Sequence, residues 1–226
     1  IVAQGEILSS FVISSALNHS NVRTKLVDAR ELIYTDDNYM RGEPDIKKIL
    51  EEVPKVINRE FEGYEAIITQ GFISSTKNGV TTILGRGGSD YTASLIGMAI
   101  KASEVEIWTD VDGILTADPG KISNSKKVNV ISFEEAAELA HFGAKVLHPL
   151  TIQPAIEKNI PVRILNSRLA DAPGTLILGD SKIPPGAKSI SYKENIIVLN
   201  LFSTSMVNSY GFLHKLFKLF DKYHIP

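Results

Sequence analysis

The hydrophobic and polar positions of the chain fall into blocks that alternate between helical and extended patterns. The first block, EILSSFVISSALNH, carries enough apolar side chains for a well-buried helix: Ile7, Leu8, Phe11, Val12, Ile13, Ala16 and Leu17. EPDIKKILEEV predicts a second helix with Pro44 near its first turn, where the missing N–H costs nothing. A third helix is expected from about Ser89 to Ala102. SFEEAAEL begins a fourth, with Ser132 and Glu135 at capping-box spacing.

Short runs with a β pattern lie between these helices. They are Thr24 to Ala29, Glu65 to Thr69, Val80 to Leu84, Glu104 to Trp108, Pro161 to Leu165 and Thr175 to Gly179. Strands that alternate with helices require crossover connections. The pattern therefore predicts an α/β fold with a largely parallel sheet covered by helices on both faces.

The last part of the chain has a different composition. GDSKIPPGAKS is rich in Gly, Pro, Ser and Lys and indicates a linker. NIIVLNLFS then predicts a strand, and SYGFLHKLFKLFDKY predicts an amphipathic helix with an apolar side formed by Phe212, Leu213, Leu216, Phe217 and Phe220. One strand and one helix cannot bury that side alone. We therefore expect residues 1–180 to form one domain, 181–194 a linker, and 195–226 the beginning of a second domain.

Composition and charge narrow the function classes. The 226 residues are 43% hydrophobic and 22% charged, with a formal net charge of −2, and no basic run favours a nucleic-acid partner. The chain has no Cys, which excludes disulfides and zinc–thiolate sites and fits a cytoplasmic location. No apolar run approaches the roughly 18 residues of a membrane span. Because the chain opens at Ile1 without Met, we expect it to be part of a longer protein.

A glycine-rich loop in TTILGRGGSDYTASLIGMAI is the first candidate site. It matches neither the P-loop nor the dinucleotide fingerprint. Gly87 and Gly88 would let the backbone approach a ligand closely, and Ser89 is a good N-cap for the following helix, whose N-terminus favours an anion. Arg86 suits a carboxylate, whereas Asp90 suits a cationic group. The loop thus suits a small zwitterion better than a bare nucleotide. A tight turn with a surface Arg and an Asp satisfying the helix dipole is an equally good interpretation.

A second candidate loop, WTDVDGILTADPGK, follows the strand that ends at Trp108. Asp110 and Asp112 before Gly113 hint at calcium, but the rest of the EF-hand pattern is missing. The loop lies either at the ligand edge of the sheet or in a solvated turn, and the spacing alone favours the turn. In HFGAKVLHP, His141 and His148 lack metal-ligand spacing, so we expect no metal held by protein side chains.

Taken together, these loops resemble the amino-acid kinase family, and within it the aspartate kinases. The matching pieces occur in the family's order and cover nearly all of residues 1–180: QGE, ITQGFI, TTILGRGGSDYTA, IWTDVDGILTADP and FGAKVLHP. The resemblance implies a carbamate kinase-like three-layer αβα sandwich. The tail resembles the first strand and helix of a ferredoxin-like ACT regulatory domain.

The resemblance also implies an activity. Such enzymes phosphorylate the side-chain carboxylate of L-aspartate with ATP and Mg²⁺ to give 4-phospho-L-aspartate, the entry to lysine, threonine and methionine synthesis. A homo-oligomer with lysine or threonine as effector would be expected. Two alternatives remain open: a non-catalytic relative that senses an amino acid or nucleotide, and a bifunctional enzyme with a homoserine dehydrogenase fused downstream.

By resemblance, each candidate residue acquires a role. Arg86 would hold the α-carboxylate of aspartate, Glu6 its α-ammonium, and Phe72 and Ser89 would line the same pocket. Asp90 would orient a catalytic lysine. The residues expected on the nucleotide side are Gly87, Gly88, Thr109, Asp110, Leu115, Lys145 and Val146. Met206 and Ser209 match effector-binding positions of relatives, although a helix core and cap would also explain them.

The sequence departs from the family pattern at three places. The Lys-Phe-Gly-Gly-Thr-Ser segment, which supplies the catalytic lysine, does not occur. Leu115 stands where relatives often have Tyr, and Gly120 where they have Arg, with Lys121 as a possible substitute. We therefore expect the 226-residue chain alone to be inactive as a kinase.

Overall fold

The structure is a computed structural model that describes residues 1–141, 151–179, 186–192, 194, 197, 200 and 210–223. The chain divides into two units, Ile1–Tyr192 and Lys193–Pro226. The elements of the first unit follow one another as α1 (Ala3–His19), β1 (Thr24–Leu26), a 3₁₀ turn (Ala29–Glu31), α2 (Ile46–Phe61), β2 (Ala66–Ile68), β3 (Ile73–Ser75), β4 (Thr81–Ile83), α3 (Gly88–Ile100), β5 (Val105–Thr109), β6 (Val130–Ser132), α4 (Phe133–His141), α5 (Gln153–Glu157), β7 (Val162–Asn166) and β8 (Thr175–Leu178).

Parallel and antiparallel pairing are combined in the described strands. β1 pairs with β2 in parallel, and β3 pairs with β4 antiparallel. The largest sheet has the order β5-β7-β8-β6, in which β5–β7 and β6–β8 are parallel and β7–β8 is antiparallel. The expected α/β fold is therefore confirmed, and the antiparallel pairs join strands that are consecutive in the chain.

Two hydrophobic clusters form most of the core. One lies where α2 and α3 pack together and includes Ile49, Val53 and Leu95. The other fills the space between the four-stranded sheet and the helices α4 and α5, and it includes Ile107, Ile164 and Ile177. Ala93 of α3 packs against this second cluster, so α3 contributes to both.

Helix α2 follows its sequence pattern closely. Ile49, Val53 and Ile57 repeat every four residues and are buried, which gives the helix one apolar face. Asp45 is the N-cap and accepts a hydrogen bond from the Lys48 amide at 3.1 Å. Pro44 therefore lies just before the cap and not in the first turn, a small correction to the expected boundary.

Helix α1 forms as predicted, but the prediction that it is well buried is wrong. Its buried residues are small or polar: Ala3, Ser10 and Ser14. The large apolar side chains are mostly exposed: Leu8 63%, Phe11 60%, Val12 62% and Ile13 52%. The reason is that hydrogen bonds, rather than apolar contacts, hold the inner face. Ser14 Oγ lies 3.2 Å from Thr24 Oγ1, and Ser10 Oγ accepts from Gln70 Nε2 at 2.8 Å.

The capping box of α4 is confirmed. The Ser132 amide donates to Glu135 Oε2 at 2.9 Å, and the Glu135 amide donates to Ser132 Oγ at 3.0 Å. The strands β3 and β6 and the helix α5 were not predicted. Each has only three to five residues, too few to show a hydrophobic period.

In the second unit, the predicted amphipathic helix is present as α6 (Phe212–Lys222), with Gly211 as its N-cap. The rings of Phe217 and Phe220 meet edge to face at 6.1 Å. None of its residues is buried, and Leu213 on the apolar side is 57% exposed. The preceding strand and the expected domain boundaries stay predictions. No helix in the described ranges is long and apolar enough to cross a membrane.

Candidate functional site

The glycine loop leads directly into α3. Gly85 and Gly87 both have positive φ, 78° and 72°, and Gly87 is the N-cap of the helix with no side-chain cap. The prediction that Ser89 caps α3 is therefore wrong. The left-handed turn at Gly87 brings the chain into the helix before Ser89, which lies exposed in the first turn.

Two glycines are required where this helix start meets the loop before β3. A Cβ on Gly88 would lie 2.8 Å from Phe72 Cδ2, and a Cβ on Gly71 would lie 2.8 Å from Ser89 Cα. The close approach at Gly88 is therefore to Phe72 of the same chain, whereas the sequence suggested a ligand. Residues 71–72 and 88–89 form one packed unit as a result.

Phe72 has a backbone conformation that is rare for an aromatic residue, with φ of 70°. Neighbouring groups hold it there. The Phe72 amide donates to Thr92 Oγ1 at 3.1 Å, and the Leu84 amide donates to the Phe72 carbonyl at 3.0 Å. Strained residues of this kind concentrate at ligand sites, because the surrounding structure must fix them.

Gln70 joins α1 to this unit, and the sequence analysis did not single it out. Its Oε1 accepts from the Ala29 amide at 2.8 Å, while its Nε2 donates to Ser10 of α1. Ile7 and Phe72 then pack against the same small buried cluster. Glu6 therefore lies on the part of α1 that is fixed beside Phe72. The only sequence signal for Gln70 was its place in the ITQGFI piece.

The charged candidates here have no side-chain partner within the described residues. Arg86 is exposed, Glu6 is partly exposed, and Asp90 is half-buried in the first turn of α3. Burial raises the pKa of Asp90. The contrast is Asp28, whose hydrogen bonds from Arg30 lower its pKa. Unlike Asp28, Asp90 is thus partly buried with no described cationic side chain beside it.

A further arginine, which the sequence analysis missed, lies beside the loop. A Cβ on Gly85 would be 3.5 Å from Arg41 Cγ. The segment that carries Arg41 is fixed to β4, because the Ile83 amide donates to the Tyr39 carbonyl at 3.0 Å and the Gly42 amide donates to the Ile83 carbonyl at 2.8 Å. Arg41 is exposed.

The second group of candidates lies at the carboxyl end of β5. Thr109 Oγ1 is 3.3 Å from Asp110 Oδ1, and the Thr109 carbonyl accepts from the Ser167 amide at 2.8 Å. Asp110 itself is exposed. Next to them, Trp108 is 48% exposed and donates its ring N–H to Glu106 at 3.0 Å. This end of the sheet is the usual ligand edge of an open α/β sheet.

The loop after β5 is fixed at its base. Asp112 accepts from Asn166 Nδ2 at the end of β7. The Ile114 amide donates to Thr175 Oγ1 at 2.9 Å, and a Cβ on Gly113 would lie 2.4 Å from that same oxygen. Asp112 therefore has a structural partner. The described residues include no group of three His, Cys, Asp or Glu side chains that could hold a metal ion.

The described structure brings Phe72, Gly88 and Ser89 into contact, with Arg86 and Asp90 beside them in the chain and α1 fixed alongside. Thr109 and Asp110 belong to the separate edge at β5, and Leu115 lies in the loop that follows, bridged to Lys127. The remaining predicted site residues lie outside the described residues: Lys145, Val146, Met206 and Ser209.

Comparison with known proteins gives consistent matches. The profile of the Amino acid kinase family matches residues 1–166. The chain is 42% identical over 226 residues to the lysine-sensitive aspartokinase 3 of Escherichia coli (strain K12), covering 100% of this chain and 50% of that protein. It is 40% identical over 230 residues to the chloroplastic aspartokinase 1 of Arabidopsis thaliana, covering 98% of this chain and 40% of that protein.

Among solved structures, E. coli aspartokinase III in complex with aspartate and ADP, in its R-state, superimposes with a TM-score of 0.82. The sequence identity is 37%, and the match covers 100% of this chain and 50% of that chain. The chain thus spans about half the length, or less, of these relatives.

Proposed function

The chain belongs to the amino acid kinase family, and from that premise we propose that the protein transfers the γ-phosphate of ATP to the side-chain carboxylate of L-aspartate. The product would be 4-phospho-L-aspartate. One observation carries the proposal: Arg86 and Asp90 flank the N-terminus of α3, Glu6 lies on the helix α1 that packs with Phe72, and none of the three has a partner among the described side chains. The aspartokinase relatives support the choice of aspartate.

The acceptor would bind between α1 and the glycine loop. The exposed guanidinium of Arg86 would hold the α-carboxylate, since a planar donor fork matches a carboxylate. Glu6 would hold the α-ammonium, with Phe72 and Ser89 as the wall between them. A pocket with both charges recognises a zwitterion and disfavours ligands that carry only one of them.

Asp90 would act as a positioning residue. Burial without a partner raises its pKa, so a nearby ammonium group would favour its ionised form. The family pattern supplies such a group from the lysine of a Lys-Phe-Gly-Gly-Thr-Ser segment, which this sequence lacks. We propose that Asp90 orients that lysine toward the transferred phosphoryl group.

The nucleotide would lie at the edge formed by Thr109, Asp110 and Leu115, with its phosphates toward Gly87 and Gly88. The N-terminus of α3 has no side-chain cap, and its dipole is favourable for phosphate. Lys145 and Val146, outside the described residues, are proposed for the same side.

Mg²⁺ would neutralise phosphate charge during transfer. The chain fits this role, because Mg²⁺ usually keeps several waters and binds substrate phosphates with one or two carboxylates. Exposed Asp110 is the available carboxylate at this edge.

Four further properties belong to the proposal. Lysine is the preferred effector, because the E. coli relative is lysine-sensitive, and Met206 and Ser209 would be at that site. A homo-oligomer and a cytoplasmic location stay predictions. So does the proposed inactivity of the 226-residue chain on its own.

Binding and turnover can be tested separately. Calorimetry on the 226-residue chain should detect L-aspartate and MgADP, and an N-terminally extended version should form aspartyl phosphate in a hydroxylamine assay. In the extended version, Arg86→Ala should raise the aspartate KM by about 10- to 150-fold, since a charged hydrogen bond is worth about 1.5–3 kcal/mol. The KM for ATP should change far less. Arg59→Ala on α2 is the control, since among the described residues the Arg59 side chain pairs only with Glu60.

Two outcomes would count against the proposal. An equal loss for both substrates in Arg86→Ala would show that Arg86 does not hold the acceptor. Binding of aspartate without turnover in the extended version would favour a sensor over a kinase.

A further inference from the structure

A short segment at the end of the first unit is bonded to the candidate nucleotide loop. We name residues 186–192 the strap and residues 110–129 the β5–β6 loop. Three hydrogen bonds join them: Ser189 Oγ to the Leu115 carbonyl at 2.6 Å, the Ile190 amide to the Thr116 carbonyl at 2.9 Å, and Tyr192 Oη to Asp118 Oδ2 at 3.2 Å. Lys121 Nζ also lies 5.4 Å from the centre of the Tyr192 ring.

The strap runs alongside this loop and bonds to its outer side. On its inner side the loop pairs with itself, through the Leu115–Lys127 bridge and the hydrogen bond from the Thr116 amide to the Lys126 carbonyl at 2.8 Å. The carbonyl of Thr116 points the other way, to the Ile190 amide of the strap. Residues 115 and 116 are thus held between two partners, and the strap is one of them.

The base and the outer half of the loop are held differently. The base is fixed to the sheet through Asn166 and Thr175, as described above. Farther out, the strap bonds to Leu115, Thr116 and Asp118 and joins this half of the loop to a segment distant in sequence. Leu115, the proposed nucleotide contact, lies at the boundary: Ile114 before it is bonded to the sheet, and its own carbonyl is bonded to the strap.

The other side of the strap faces open space. A cleft of about 230 Å³ lies there, lined on its far side by Ile131 of β6 and by Glu135, Glu138 and Leu139 of α4. The hydrogen bonds of Ser189, Ile190 and Tyr192 given above all run to the loop and not across this cleft. The second unit begins at Lys193, directly after Tyr192.

We infer that Ser189 and Tyr192 are positioning residues for the nucleotide edge, so that nucleotide affinity depends on whether the strap is bonded to the β5–β6 loop. This inference rests on the proposed function. It adds a regulatory role for the strap to that function. Release of the strap would free the Leu115 carbonyl and loosen the outer half of the loop. The acceptor side, built from α1, Phe72 and α3, shares none of these contacts.

The test uses the double variant Ser189→Ala/Tyr192→Phe, which removes two hydroxyls and keeps the ring beside Lys121. Calorimetry should show MgADP binding weakened by about 5- to 30-fold, the loss expected for two hydrogen bonds that each contribute modestly. L-aspartate binding should change less than twofold. Ser191→Ala is the matched control, because Ser191 lines the cleft and makes no hydrogen bond to the loop within the described residues.

Amide hydrogen exchange gives an independent reading. Peptides that span residues 114–121 should exchange faster in the double variant, while peptides of α3 should not change. Unchanged exchange there, or equal weakening of both ligands, would overturn the inference. If the unmodified chain binds no MgADP, the proposed function fails instead, and faster exchange in the variant would still support the strap's positioning of the loop.

Discussion

Helices α1 and α2 are nearly equal in length, with 17 and 16 residues, yet they are held by opposite means. α2 buries an apolar face and exposes its charged side chains. α1 buries small and hydroxyl side chains and exposes Leu8, Phe11 and Val12. The comparison teaches that abundance of apolar residues does not tell which side of a helix faces inward. In α1, the inward side is the one whose side chains find hydrogen-bond partners on segments distant in sequence.

The largest effect should come from the apolar face of α2. Ile49 is fully buried, so Ile49→Ala should lower the free energy of unfolding by about 2–5 kcal/mol through lost burial and a cavity. Leu8→Ala on α1 is the matched control and should stay within about 0.5 kcal/mol. Urea unfolding measures both. Equal losses would show that α1 is held by apolar packing after all.

The polar face of α1 should show an intermediate effect. Gln70→Ala would leave the Ala29 amide and Ser10 Oγ without their partner, at a cost of about 1–3 kcal/mol. Gln4→Ala, on the exposed side of α1, provides the control and should be neutral. A neutral Gln70→Ala in the same urea titration would mean that these hydrogen bonds do not fix the helix.

Asp90 differs from the polar groups beneath α1 because it has no described partner. Its folded-state pKa is raised above the usual 3.8, so ionisation costs stability as the pH rises through that pKa. Asp90→Asn should therefore be more stable than the original chain at neutral pH, by less than about 1 kcal/mol. The gain should vanish below pH 3.8. Thermal melts across pH would test this, with Asp37→Asn as an exposed control; a gain independent of pH would contradict the assignment.

The smallest effect on stability is expected on the outer face of α1. Leu8→Lys combined with Phe11→Lys should change the free energy of unfolding by at most about 0.5 kcal/mol, because both side chains are already exposed. The same change should reduce self-association in light scattering, since a contiguous exposed apolar patch promotes it. Ser15→Lys adds charge to the helix without removing an apolar group. Loss of the folded state would show that this face is buried.

The sequence predicted those elements whose pattern is local. α2, α3 and the capping box of α4 follow from the spacing of residues within one helix. The inward face of α1 did not follow, because Ser10 and Ser14 meet partners on other segments, 60 residues away for Gln70. Similarly, the sequence motif was enough to locate the glycine loop. The cap at Gly87 and the strained backbone of Phe72 could not be predicted, because they depend on contacts between loops.

The same limit applies to the strap. Its composition predicted a linker, and its hydrogen bonds join residues 74 positions apart in the chain for both Ser189–Leu115 and Tyr192–Asp118. No local pattern could indicate them. The assignments of Arg86, Glu6 and the nucleotide residues stay predictions until ligands are bound.

Trp108 is the sole tryptophan of the sequence, and it is half exposed where β5 ends. Its fluorescence therefore comes from a single point of the molecule, one residue before Thr109. Emission that shifts or is quenched on adding a nucleotide would time its arrival in a stopped-flow instrument, with no dye attached and no residue replaced.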